Sequence, residues 1–156
     1  MKTASIKEIK TELEHLSPKE LLDITLKLTR FKKENKELLT YLLFEATDEQ
    51  EYINNIKQML HVLFTEVNVN NLYFARKNIR KILRMANRYN RYSDVATTEI
   101  EILIYICEEI KQLDIDLSKS TALFKLYSGI VKKISKSIDG LHEDLQYDYN
   151  RQLKKL

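Results

Sequence analysis

Residues 100–113 read IEILIYICEEIKQL, and two features of this stretch point to a central helix. Apolar side chains recur at Ile100, Leu103, Cys107 and Ile110, the three-and-four-residue spacing of one helix face. The middle, 102–107, is apolar on nearly every side, which is typical of a helix covered by its neighbours. A buried β-strand is the rival interpretation, but the sequence offers no comparable partner strand. The stretch therefore predicts a central helix in an all-α fold.

The composition around this stretch favours helices throughout. The 156-residue chain has two glycines and one proline, whereas glycine alone makes up about 7% of an ordinary chain. Sandwiches, barrels and glycine-rich phosphate loops are disfavoured because they need many more turn-forming residues. The chain is 44% hydrophobic, enough for a sizeable core, which excludes a disordered protein. We expect a single all-helical domain spanning residues 1–156.

Capping signals divide the chain into seven or eight antiparallel helices. Ser5 with Glu8 and Ser17 with Glu20 have the capping-box spacing, and Pro18 stands at a first helical position. Further helices are predicted to begin near Asn35, after Asp48, after a turn at 68–71, at Ser93 and Asp94, after Ser118 or Ser120, and at Asp139 and Gly140. The second helix is expected to bury Leu21, Leu22, Ile24, Leu28 and Phe31.

The spacing of the helix starts leaves two architectures open. Starts at positions 5, 48, 94 and 139 are 43, 46 and 45 residues apart. This resembles the period of about 40–47 residues in helical-pair repeats of the HEAT or armadillo kind. Short connections between antiparallel helices produce the same spacing in a compact bundle. We therefore expect either a helical-pair stack or a compact bundle.

The cysteine content and the hydropathy pattern indicate the cellular compartment of the protein. A single cysteine rules out an internal disulfide framework and favours a reducing compartment. The first fifteen residues alternate charges and lack an apolar block of secretory-signal length. The longest purely apolar run has six residues, against the roughly 20 that cross a bilayer. We therefore predict a cytoplasmic protein with no membrane partner.

Charge is distributed very unevenly along the chain. Residues 68–93 contain no acidic residue and carry a charge of +7, so the net +3 of the whole chain leaves −4 for the remainder. The seven basic residues are Arg76, Lys77, Arg80, Lys81, Arg84, Arg88 and Arg91. On a helix over 72–92 they lie beside an apolar side formed by Leu72, Ala75, Ile79, Ile82, Leu83 and Ala86.

This basic helix needs an opposing charge. Its four like-charged pairs at i,i+4 spacing together cost on the order of 1–2 kcal/mol. The chain's own acids could offset that cost, for example Glu45, Asp48, Glu49, Glu51, Glu99, Glu101, Glu108 and Glu109. An external polyanion is the alternative: Arg76 to Arg88 spans about 18 Å, and neutralising about four phosphates would weaken binding about 150-fold for a fourfold rise in salt. Tyr73, Tyr89 and Tyr92 could stack on bases, although Tyr89 lies nearer the apolar side.

Patterns for catalysis and for metal or cofactor binding are incomplete. Glu12 and His15 have the spacing of a helical metal pair, but the sequence has no second Glu-x-x-His motif, so we predict no metal. Cys107 falls on an apolar stripe, where a thiol behaves as a small hydrophobic group. With two glycines the chain cannot hold a nucleotide-binding fingerprint. We predict no cofactor and no catalytic residue.

Two stretches, FKKENKELLTYLLFEA at 31–46 and RKILRMANRYNRYS at 80–93, resemble uncharacterised helical proteins of Bacteroidetes-type bacteria. The resemblance implies a bacterial, all-helical protein and carries no known activity or cofactor. The sequence then favours a non-enzymatic interaction module that binds a protein or a second copy of itself. Backbone-directed nucleic-acid binding through the helix at 72–92 is the alternative, and an enzyme with a site between helices is a third.

Overall fold

The computed structural model describes residues 2–156, which form eight α-helices and no strand. The helices are α1 (Ile6–Glu14), α2 (Pro18–Phe31), α3 (Lys33–Thr40), α4 (Glu49–Thr65), α5 (Leu72–Ser93), α6 (Ala96–Gln112), α7 (Thr121–Asp139) and α8 (Glu143–Leu153). A π-helical turn (Tyr41–Glu45) follows α3, and a 3-10 turn (Leu117–Lys119) precedes α7. The prediction of an all-α fold is confirmed. Within residues 2–156, no helix combines the length and apolar character needed to span a bilayer.

Helices α1 and α2 each begin at the capping box that the sequence predicts. At α2, the Ser17 hydroxyl donates to Glu20 Oε2 at 2.6 Å, and the Glu20 N–H donates to Ser17 Oγ at 3.4 Å. The Ser5–Glu8 pair caps α1 in the same way. These hydrogen bonds favour the carboxylate form, so the pKa of Glu20 lies below its usual value. Both predicted capping boxes are confirmed.

Three other starts lie elsewhere than predicted. Lys32 has extended backbone, so α3 begins at Lys33 instead of near Asn35. Asp94 adopts left-handed backbone with φ of 56° and ends α5, so α6 begins at Ala96. Gly140 ends α7, and α8 begins only at Glu143, after His142. Thus α3 begins earlier than predicted, whereas α6 and α8 begin later, because Asp94 and Gly140 end the preceding helices.

Two compact units make up the chain, Met1–Phe44 and Glu45–Leu156. In the first unit α2 packs on α3, yet α1, α2 and α3 contain no buried residue. The prediction that α2 buries its apolar side is wrong: the exposed fractions are Leu21 37%, Leu22 57%, Ile24 39%, Leu28 56% and Phe31 76%. Three short helices offer too little surface to cover one another, because small units bury a small share of their area.

The second unit has a core built around α6. This helix packs against α4, α5 and α7, and α7 also packs on α8. Its apolar residues Ile100, Ile102, Leu103 and Ile106 are at most 1% exposed, which confirms the predicted central helix. Two polar contacts tie α4 to α6: Lys57 Nζ lies 3.0 Å from Glu101 Oε2, and His61 Nδ1 lies 3.1 Å from Glu109 Oε1.

Next-nearest helices also touch within this unit, α4 with α6 and α5 with α7. Both a helical-pair stack and a compact bundle contain such contacts. The choice between these two architectures, and the expectation of a single domain, therefore stay predictions.

Candidate polyanion-binding face of helix α5

The second unit holds the acid-free segment as a single helix with one buried side. At its start, Asn71 Oδ1 accepts hydrogen bonds from the backbone N–H groups of Tyr73 and Phe74, at 3.0 and 3.2 Å. Ala75, Ile79, Ile82 and Ala86 are at most 2% exposed, and Leu72 and Leu83 are half-buried. The predicted apolar side is therefore confirmed, and its packing turns the opposite side of α5 outward.

Five of the seven predicted basic residues share that outward side. Lys77, Arg80, Lys81 and Arg84 are exposed and Arg76 is half-buried; we call these five residues the basic face. Four of them, with Tyr73, line a shallow groove of about 230 Å³; they are Arg76, Lys77, Arg80 and Arg84. The basic face is therefore slightly concave.

The remaining two basic residues lie apart from that groove. Arg88 is half-buried, with its guanidinium 5.4 Å from the centroid of the Tyr89 ring. Arg91 is exposed and lines a different cavity near the end of α5. The structure thus brings together five of the seven residues that the sequence grouped.

No carboxylate of the chain neutralises the basic face in the part that the structure describes. No aspartate or glutamate oxygen among residues 2–156 lies within 4.0 Å of the charged nitrogens of Arg76, Lys77, Arg80, Lys81 or Arg84. The side chains of these five residues therefore keep their charge directed at solvent.

Several acids that could have neutralised α5 bind other partners. Glu99 Oε1 lies 2.7 Å from Lys133 Nζ. Glu101 and Glu109 contact Lys57 and His61, as described above. Each of these contacts ties α6 to a neighbouring helix. Glu99, Glu101 and Glu109 thus serve helix packing.

The tyrosines of α5 differ in accessibility. Tyr73 is 62% exposed, and its ring centroid lies 6.0 Å from the Arg76 guanidinium carbon. Tyr92 is buried and packs edge-to-face on the half-buried Tyr89, with centroids 5.8 Å apart. The Tyr89 carbonyl also accepts a hydrogen bond from the Tyr52 hydroxyl at 3.0 Å. Of the three tyrosines that the sequence offered for base stacking, Tyr73 alone is largely exposed.

Phe74 is a feature of this site that the sequence did not single out. Its side chain is 47% exposed, and its ring meets Tyr73 edge-to-face with centroids 5.4 Å apart. Helical periodicity places Phe74 in line with Asn78 and Lys81, away from the apolar side, so the pattern itself was the signal that could have identified it.

A second cavity, of about 350 Å³, lies beside the C-terminal end of α5. Its lining residues are Asn87, Asn90, Arg91, Asp94, Val95, Ala96, Glu99 and Lys133. Lys133 Nζ contacts both Glu99 Oε1, at 2.7 Å, and Asn87 Oδ1, at 3.1 Å, while Ser137 donates to Glu99 Oε2 at 3.1 Å. The ion pair between Lys133 and Glu99 therefore joins α7 to α6 at the wall of this cavity.

The other candidate residues occupy structural positions. Cys107 is fully buried. His15 is exposed, and His142 caps α8 through Nδ1, which accepts from the Asp144 N–H at 3.4 Å. Within residues 2–156, no three His, Cys, Asp or Glu side chains are grouped closely enough to hold a metal ion.

Comparison with known proteins finds no family model, curated protein or solved structure that matches the chain. The resemblance to helical proteins of Bacteroidetes-type bacteria therefore stays a prediction. The charge, exposure and shape of the basic face are the features that indicate a function.

Proposed function

We propose that the chain is a non-enzymatic interaction module that binds the phosphate backbone of nucleic acid through the basic face of α5. One observation carries the proposal: five cationic side chains lie side by side without a carboxylate partner among the described residues. Lysine and arginine that neutralise phosphates release condensed counterions, which drives backbone binding irrespective of sequence.

The dimensions of the basic face suit a phosphate backbone. Arg76 to Arg84 is eight residues, or about 12 Å along the helix axis, which matches roughly three to four phosphates of one strand. Successive residues at i,i+4 spacing turn by about 40°, so the row of arginines curves around α5. A curved, slightly concave row of cations can follow a bent backbone.

The repulsion between like charges on α5 also favours the binding of an external anion. Arg76–Arg80, Arg80–Arg84 and Lys77–Lys81 are like-charged pairs that together destabilise the helix by on the order of 1 kcal/mol. A polyanion lying along the basic face would convert this repulsion into attraction. An acidic protein would supply the same charge, but a phosphate backbone repeats it at a regular spacing along the whole row.

Fluorescence anisotropy with labelled mixed-sequence oligonucleotides tests the proposal. With about four phosphate contacts, the dissociation constant is expected to rise between 50 and 200 mM salt by about 150-fold for a duplex and by about 50-fold for a single strand. The variant Arg80→Glu/Arg84→Glu should abolish binding. The matched control Lys125→Glu/Lys132→Glu changes the net charge equally at two exposed positions of α7 and should bind almost as the parent does.

Two results would contradict this function. One is a lack of binding to any oligonucleotide at micromolar protein and low salt. The other is an equal loss of affinity in both charge-reversed variants, which would mean that net charge, and not the basic face, attracts the oligonucleotide.

A further inference from the structure

We infer that the basic face takes single-stranded nucleic acid in preference to duplex, because the exposed aromatic pair Tyr73 and Phe74 lies at its N-terminal end. The inference rests on the proposed function and adds the class of strand. The phosphates are contacted by the basic face, and one or two bases stack on the aromatic pair.

Both rings of the aromatic pair are accessible to a ligand. Tyr73 and Phe74 are 62% and 47% exposed, while the other two aromatic residues of α5, Tyr89 and Tyr92, take part in packing. Two adjacent rings in water leave a large apolar area uncovered. A base placed on either ring covers that area, and every base has a flat face that can stack.

Tyr73 lies next to the cations of the basic face. Lys77 and Arg80 follow Tyr73 by four and seven residues, so all three lie on one side of α5. Tyr73 also lines the groove together with Arg76 and Arg84. A strand whose base stacks on Tyr73 can therefore run its backbone directly along the basic face.

Single-stranded nucleic acid and duplex differ in how accessible the faces of their bases are. In a duplex the faces of the bases are covered by neighbouring base pairs, and extruding one base costs a few kcal/mol. A single strand presents its bases without that cost. Stacking on Tyr73 and Phe74 therefore adds affinity for a single strand, while a duplex can use only the cations.

The test compares a 12-nucleotide single strand, as DNA and as RNA, with the duplex of the same sequence. Tyr73→Ala/Phe74→Ala is expected to weaken single-strand binding about 5- to 140-fold for each stacked base and to leave duplex binding unchanged. Tyr73→Phe should retain single-strand affinity because stacking needs the ring alone. Tyr147→Ala removes a tyrosine of α8 that is 68% exposed and should change neither affinity.

A spectroscopic readout reports stacking without relying on loss of affinity. The chain has no tryptophan, so Tyr73→Trp introduces a single reporter whose fluorescence should be quenched by the single strand and not by the duplex. Equal affinity for both strands, with no effect of Tyr73→Ala/Phe74→Ala and no quenching of Trp at 73, would overturn the inference and leave the proposed function standing. Absence of binding to every oligonucleotide would instead overturn the proposed function.

Discussion

Cys107 illustrates how burial controls the chemistry available to a single residue. The side chain lies on the apolar stripe of α6 and is fully buried. Burial raises the pKa of the thiol to about 12, because the charged thiolate is poorly solvated there. The thiolate is the nucleophilic form, so Cys107 is protected in two ways, by its protonation and by its inaccessibility.

We expect native protein to react with a disulfide reagent such as dithiobis-nitrobenzoate only through unfolding. At pH 8, modification of Cys107 should be at least a hundredfold slower than in guanidinium chloride, where the thiol is exposed and its pKa returns toward about 8.5. The absorbance of the released thiolate follows the reaction. Rapid stoichiometric labelling of the native protein would show that α6 is accessible.

At the scale of the helix, α5 combines a well-packed apolar side with an electrostatically strained basic face. Arg80 lies four residues from both Arg76 and Arg84 and three residues from Lys77. Neighbours at these spacings meet on the helix surface. Arg80 therefore has three like charges of its own helix within reach.

Arg80→Glu is expected to stabilise the protein while it weakens binding. The change replaces three repulsive pairs by three attractive ones, a gain of about 1–3 kcal/mol, which raises Tm by roughly 2–4 °C per kcal/mol for a chain of this size. Thermal unfolding followed by circular dichroism measures the shift. Lys125→Glu, whose neighbours at i±3 and i±4 are uncharged, is the control and should leave Tm nearly unchanged. A lower Tm for Arg80→Glu would contradict the assignment of strain to the basic face.

At the scale of the whole molecule, buried apolar surface is distributed unequally between the two units. Leu103, at the centre of the second unit, is 1% exposed, whereas Leu22 of α2 is 57% exposed. The first unit has no buried residue in its three helices. Most of the hydrophobic stabilisation therefore resides in residues 45–156.

Truncation of a leucine in each unit tests this distribution. Leu103→Ala leaves a cavity in a close-packed core and is expected to lower the free energy of unfolding by about 2–5 kcal/mol. Leu22→Ala should change it by less than about 0.5 kcal/mol, as at most surface positions. Urea unfolding followed by circular dichroism gives both values. Comparable losses would mean that α2 is covered by a partner or by a second copy of the chain in solution.

The parts of the fold that could be predicted depend on residues close together in the chain. The capping boxes at Ser5 and Ser17 involve residues three positions apart, and the central helix was recognised from its own apolar pattern. The burial of Leu22 was predicted wrongly, because an amphipathic pattern indicates which side of a helix seeks cover but not whether cover is present. The start of α6 was misplaced because Asp94 can cap either of two helices, and its left-handed backbone ends α5.

The candidate site likewise has one property that the sequence predicts and another that only the packing of helices decides. The one-sided charge of α5 follows from helical periodicity, since its residues repeat within the reach of one or two turns. The availability of that charge depends on Glu99, Glu101 and Glu109, which contact residues 34 to 48 positions away on other helices. Packing between helices sets those distances, and no local pattern encodes them. For that reason the helix and its basic face could be derived from the order of the residues, whereas its freedom from the chain's own carboxylates emerged from the folded arrangement.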